Sequence, residues 1–124
     1  MPRMFLNGTA MAGGALHYLV GDAELVATTT TAERYRFYSV DDQYPALEDV
    51  GPGGARVEGE LYELSDHQLR EVLLPAEPAG LELGVIELVD GSGSLAMVLR
   101  RSHSELPMKD ITELGSWRTF QQQR

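Results

Sequence analysis

Leu6-Asn7-Gly8-Thr9-Ala10-Met11 reads as an apolar strand running into a glycine-containing turn. Met4-Phe5-Leu6 supplies the strand, and Ala12 through Val20 the short helix behind it, weakened by Gly13 and Gly14. Consecutive backbone N–H groups in such a turn can form a concave anion site, helped by the partial positive charge of a helix start. A carboxylate, or the oxyanion of an attacked carbonyl, would be held there without any basic side chain. An ordinary strand-to-helix turn, with glycine present for a positive φ, fits the same six residues.

Outward from this turn, strand signals dominate. Leu25 through Thr31 is rich in threonine, and Tyr35-Arg36-Phe37-Tyr38-Ser39-Val40 alternates aromatic and polar positions. Val57, Gly59 and Leu61 alternate with Glu58, Glu60 and Tyr62, the pattern of a strand with one wet face. Leu83–Val89 and Leu95–Leu99 flank Asp90-Gly91-Ser92-Gly93, a hairpin signal, and the second arm is apolar enough to lie centrally. Ser65-Asp66-His67-Gln68 has capping form for a helix carrying Leu69, Val72 and Leu73, which Pro75 should stop. Asp110-Ile111-Thr112-Glu113 begins a last turn ending at Gly115, with Trp117 and Phe120 beyond it. The breaker clusters 51–54 and 75–80 are too short to separate domains, so one domain over 1–124 is expected. The predicted fold class is α+β, a small curled, mostly antiparallel sheet or barrel with two or three short helices.

Composition bounds the function. The 124 residues carry 10 basic and 19 acidic side chains, a formal charge of −9, and no cysteine. Thiolate metal sites, disulfides and a cysteine nucleophile are thereby excluded. The acidic balance argues against nucleic acid and anionic membrane as partners, since both require a basic footprint. No run approaches the roughly 18 apolar residues of a membrane span, and a cytoplasmic location without a removed signal peptide is expected.

His17 falls at the edge of the apolar stripe formed by Leu16, Leu19 and Val20, where its imidazole could point at the Gly8 loop as acid or base, or simply bond to backbone. Glu77 and Glu82 flank the Pro/Gly loop 75–80, and either would titrate unusually high if buried, though both also suit a wet surface. Arg34 and Arg36, beside Tyr35, could clamp a carboxylate or pair with Glu58 or Glu60 across strands. His67 and His103 suggest only exposed positions. The three histidines lack metal-ligand spacing, so neither a metal nor another cofactor is expected.

In order along the chain, these segments resemble the γ-glutamylcyclotransferase-like (AIG2-like) superfamily, and within it the C-terminal domain of allophanate hydrolase. The residues carrying the resemblance include Asn7-Gly8-Thr9 to His17 and Thr30-Thr31-Ala32-Glu33-Arg34-Tyr35-Arg36. Pro78-Ala79-Gly80-Leu81-Glu82-Leu83-Gly84, Leu88-Val89-Asp90-Gly91 and Asp110-Ile111-Thr112 to Gly115-Ser116-Trp117-Arg118 extend it over most of the chain. The resemblance implies a small-molecule site at the Gly8 loop with His17 as the catalytic residue; Asn7, Gly8, Thr9, Ala10, Met11, Tyr35, Glu77 and Glu82 are the expected substrate contacts, although neither glutamate falls in the motif that surrounds the cyclotransferase base. It implies decarboxylation of an N-carboxyurea-type ureido or amide acid, a small anionic metabolite, with His17 moving the proton as CO₂ leaves. A separate amidase would be the partner, since these 124 residues contain no amidase segment. Two alternatives stand beside this one: a non-catalytic metabolite-binding or assembly module for a separate amidohydrolase, and a γ-glutamylcyclotransferase. Asn7 stands where the cyclotransferase loop has tyrosine. Homo-oligomerisation is left open.

Overall fold

The computed structural model describes residues 2–100 and 107–123. His103 lies outside them. Eight strands form two sheets: β1 (Arg3–Leu6), β2 (Glu24–Thr30), β3 (Tyr35–Val40), β4 (Tyr44–Asp49), β5 (Glu58–Glu63), β6 (Leu81–Glu87), β7 (Gly93–Leu99) and β8 (Met108–Asp110). The larger sheet runs β2-β5-β1-β7-β6 and the smaller β4-β3-β8. Only β1 and β7 pair in parallel; the other pairings are antiparallel. The sheets curl toward each other but stay open, with β2 and β6 as the edges of the larger one, so no barrel closes.

β1 sits at the centre. Met4, Phe5 and Leu6 are all buried, because the strand has a neighbour on each edge and packing on each face. Burying side chains of this size contributes about 1.5–3 kcal/mol each. The turn after Leu6 is therefore launched from a fully buried, central strand. The 90–93 hairpin joins β6 and β7 as expected, and β7 is interior.

Three local expectations are corrected. β5 has no wet face: Gly59, Glu60, Leu61 and Tyr62 are all buried, because β5 lies between β1 and β2 and its second side is also covered. Residues 12–16 do not form a helix, and only a 3₁₀ turn, His17–Val20, follows the loop. Gly13 adopts φ +85°, and a Cβ on Gly14 would stand 2.1 Å from the Thr9 carbonyl oxygen, so the chain is turned back on itself instead. Nor does Pro75 stop its helix. Ser65 Oγ caps the start by accepting from Gln68 N at 3.0 Å, and a π-helical stretch, Gln68–Leu73, passes into a helical turn at Leu74–Ala76. The wider spacing bonds Leu74 N to Leu69 O. Leu69 and Leu73 face the core, while Val72 is turned outward. Thr112 N bonds to Asp110 Oδ1, Gly115 ends that turn at φ +60°, and Ser116 caps a C-terminal helix, Trp117–Gln122, that buries Trp117 and Phe120.

Candidate functional site

The turn after β1 uses its carbonyl groups internally. Gly8 O accepts from Met11 N (3.1 Å), Thr9 O from Leu16 N (3.0 Å) and Met11 O from Gly14 N (2.9 Å). His17 Nδ1 lies 2.9 Å from Ala10 O; a carbonyl can only accept, so the imidazole is the donor there. With the carbonyls held on one side, the amides of Gly8, Thr9 and Ala10 donate to no protein acceptor among the described residues. Three consecutive free N–H groups are the physical basis of a nest for an oxyanion or carboxylate.

Asn7 to Ala10 line a cavity of about 230 Å³. Apolar walls come from Phe5, Leu16, Leu19, Pro45 and Met97, and the remaining side from Glu77 and Pro78. Gly8 has no positive φ, contrary to the reason expected for it; its need is space, since a Cβ would stand 2.7 Å from Pro45 Cγ. Glu77 follows directly on the helical turn, with its N–H on Leu74 O at 3.1 Å. The loop beyond it is held by Arg100, whose guanidinium donates to Ala79 O (2.9 Å) and Leu81 O (3.0 Å). Burial in this apolar surrounding pushes the Glu77 carboxyl up to about 7. A carboxyl group that exchanges its proton near neutrality therefore shares a cavity with the residues Gly8, Thr9 and Ala10.

The other expected residues lie elsewhere. His17 is absent from the cavity lining; its ring is fixed by Ala10 O and tilted against Tyr62 at 5.9 Å. Met11 lines a second cavity, which Gly8 and Thr9 also border. Tyr35 is buried in the core, where its hydroxyl accepts from Glu87 N at 2.8 Å. Glu82 is on β6, outside the cavity lining. The cross-strand pairing expected of the arginines is corrected: Arg34 meets Asp49 (3.1 Å) and Glu87 (3.7 Å), and Arg36 meets Asp110 (3.6 Å), since β4 and β8 are the partners of β3. Glu60 is instead buried and paired with Arg118 at 2.8 Å. The alternation of β5 disguised it as a surface acid. Among the described residues no cluster of acidic or histidine side chains could hold a metal ion, and no helix is long and apolar enough to cross a membrane.

Comparison with known proteins places the family and the fold. The profile of the allophanate hydrolase C-terminal domain matches residues 2–122. The chain belongs to that family. A uropathogenic E. coli-specific protein of known crystal structure is 33% identical to this chain, the match covers 99% of this chain and 97% of that one, and the two superpose with a TM-score of 0.90. Kluyveromyces lactis allophanate hydrolase is 19% identical and has the same fold (TM-score 0.88); it matches 96% of this chain, which spans only 20% of that protein. A mouse AIG2-like protein, 20% identical over 88% of this chain and 86% of its own, is a more distant likeness with a TM-score of 0.63. No curated protein matches the sequence.

Proposed function

We propose that this allophanate hydrolase C-terminal-like chain binds a small ureido or amide-type carboxylic acid in the Gly8 cavity and releases CO₂ from it. The single observation that carries the reading is that Gly8, Thr9 and Ala10, whose amides donate to no acceptor among the described residues, line one cavity with Glu77. The amides receive the ureido carbonyl oxygen, because negative charge grows there as the N–COO⁻ bond breaks. The carboxylate faces the apolar wall, where it is poorly solvated and better disposed to leave as neutral CO₂. Its proximity favours the protonated form of Glu77 still further. As the C–N bond breaks, its electron pair passes to the nitrogen and the carbonyl. The Glu77 carboxylic acid gives its proton to that nitrogen, leaving an amide-type product, CO₂ and a Glu77 carboxylate that regains its proton from water. In this reading His17 is a positioning residue, which acts by holding the Ala10 carbonyl away from the cavity, and the proton transfer belongs to Glu77.

The test supplies N-carboxyurea (allophanate) itself, with ¹³C NMR following its conversion to urea and CO₂. The intact protein should accelerate that conversion above the buffer rate, and Glu77→Gln should remove about 10²-fold of the acceleration. A wild-type rate equal to buffer, or an unchanged rate in Glu77→Gln, rejects catalysis at this site. Binding of N-carbamoylglycine at the Gly8–Ala10 amides without turnover would leave the alternative of a metabolite-binding module.

A further inference from the structure

Ala12, two residues past the free amides, is gripped by both of its backbone groups. Its N–H donates to Glu60 Oε1 at 2.8 Å, and its carbonyl accepts from Arg118 Nη2 at 2.7 Å. The same Arg118 nitrogen donates to Glu60 Oε2 at 2.8 Å. Tyr62 closes the arrangement, with its hydroxyl on Glu60 Oε1 at 3.0 Å and its ring against His17. Glu60 is buried in the centre of β5, and Arg118 comes from the C-terminal helix, 106 residues away from Ala12 in sequence.

We infer that the Glu60–Arg118 pair is a clamp on Ala12 that aims the Gly8–Ala10 amides into the cavity, making Glu60 and Arg118 positioning residues for the site. The physical reason is the directionality of the contacts. A peptide held at both N–H and C=O by a charged pair has its orientation fixed, and charge-assisted bonds hold it more firmly than neutral ones. The clamp point is joined to the site by short bonds: Met11 N to Gly8 O on one side, and Leu16 N to Thr9 O on the other. Tyr62 extends the grip through His17 to the Ala10 carbonyl. Arg118 does not line the cavity of the proposed site but a neighbouring one, with Gly8 and Thr9, and the effect inferred for it passes through the loop. This inference rests on the functional reading for its consequence in binding, but its structural core, a locally held loop, can be measured without any ligand.

The experiment compares wild type, Arg118→Lys, Arg118→Met and the charge-free double variant Glu60→Gln/Arg118→Met, with Gln122→Ala as a control on the same helix. Amide hydrogen exchange in the ligand-free protein is the first readout. The Met11 and Leu16 amides should exchange at least tenfold faster in Arg118→Met and in the double variant, while core amides of β1 and β7 keep their relative protection. The lysine variant should recover part of the loss, since an ammonium can still reach one of the two acceptors. N-carbamoylglycine affinity, followed by NMR, is the second readout and should fall at least tenfold in the same order. Exchange that rises equally everywhere, or not at all, overturns the clamp, as does an equal effect from Gln122→Ala. If wild type does not bind N-carbamoylglycine while the Met11 and Leu16 amides respond as stated, the site reading fails and the clamp stands.

Discussion

Two carboxyl groups, Glu60 buried and Glu77 half-buried, flank one loop, and their pKa values are shifted in opposite directions. Burial acts on Glu60 and Glu77 alike, raising both. At Glu60 that push is outweighed by bonds from Ala12 N–H, Arg118 and Tyr62, so its carboxyl ends below the ordinary range. Among the described residues Glu77 receives no such bond, and burial drives it up to about 7. The contrast teaches that partners, not depth, decide which acid is a structural fixture and which can exchange a proton at neutral pH. A satisfied carboxylate holds the back of the loop, and an unsatisfied one faces the front.

The sharpest way to break this contrast is to remove the partner that keeps Glu60 charged. Arg118→Met should cost about 3 kcal/mol by urea unfolding, because a buried carboxylate loses its counter-charge. Glu60→Gln, which keeps an acceptor for Ala12, should cost only about 1 kcal/mol. Equal costs would mean that Glu60 is better solvated than its burial implies. The next effect is read from stability against pH. The pKa of Glu77 is raised on folding, so its contribution is whole below about pH 4.5 and is lost as pH rises through about 7, on the order of 3 kcal/mol. The pKa of Glu60 is lowered, so its contribution is present above about pH 4.5 and is lost on further acidification. Glu77→Gln should flatten the neutral arm and leave the acid arm in place; a neutral arm that persists would discard the assignment to Glu77. Smallest of all, His17→Gln should cost about 1 kcal/mol through the Ala10 bond and reduce turnover far less than Glu77→Gln. A loss of turnover matching that of Glu77→Gln would return the proton transfer to the imidazole.

Much of the fold could be read along the chain. The 90–93 hairpin, the Tyr35–Val40 strand and the Ser65 cap are local features whose turn and propensity chemistry is complete within a few residues. The loop that lines the cavity was legible too, as a strand ending in Asn7-Gly8-Thr9. The reason for Gly8 was not, because it depends on Pro45, which β4 brings alongside. His17 attracted attention as a titratable residue near the loop, yet its Nδ1 is committed to a carbonyl. Glu60 was overlooked because alternation in β5 reports one wet face only when the other side of the strand lacks a cover. Glu77 was one carboxylate among 19 acidic residues until an apolar cavity formed around it.

The sequence by itself determined the class of the chain, the succession of its strands and the turn on which the site is built. These follow from periodicity, turn chemistry and capping, which act over a few residues. Tertiary structure alone decided the electrostatics: which acid is charged, which is proton-exchanging, and which amides are left unbonded. Those properties depend on desolvation and on partners up to 106 residues distant, as Arg118 is from Ala12, and no local pattern encodes what will be packed against a side chain.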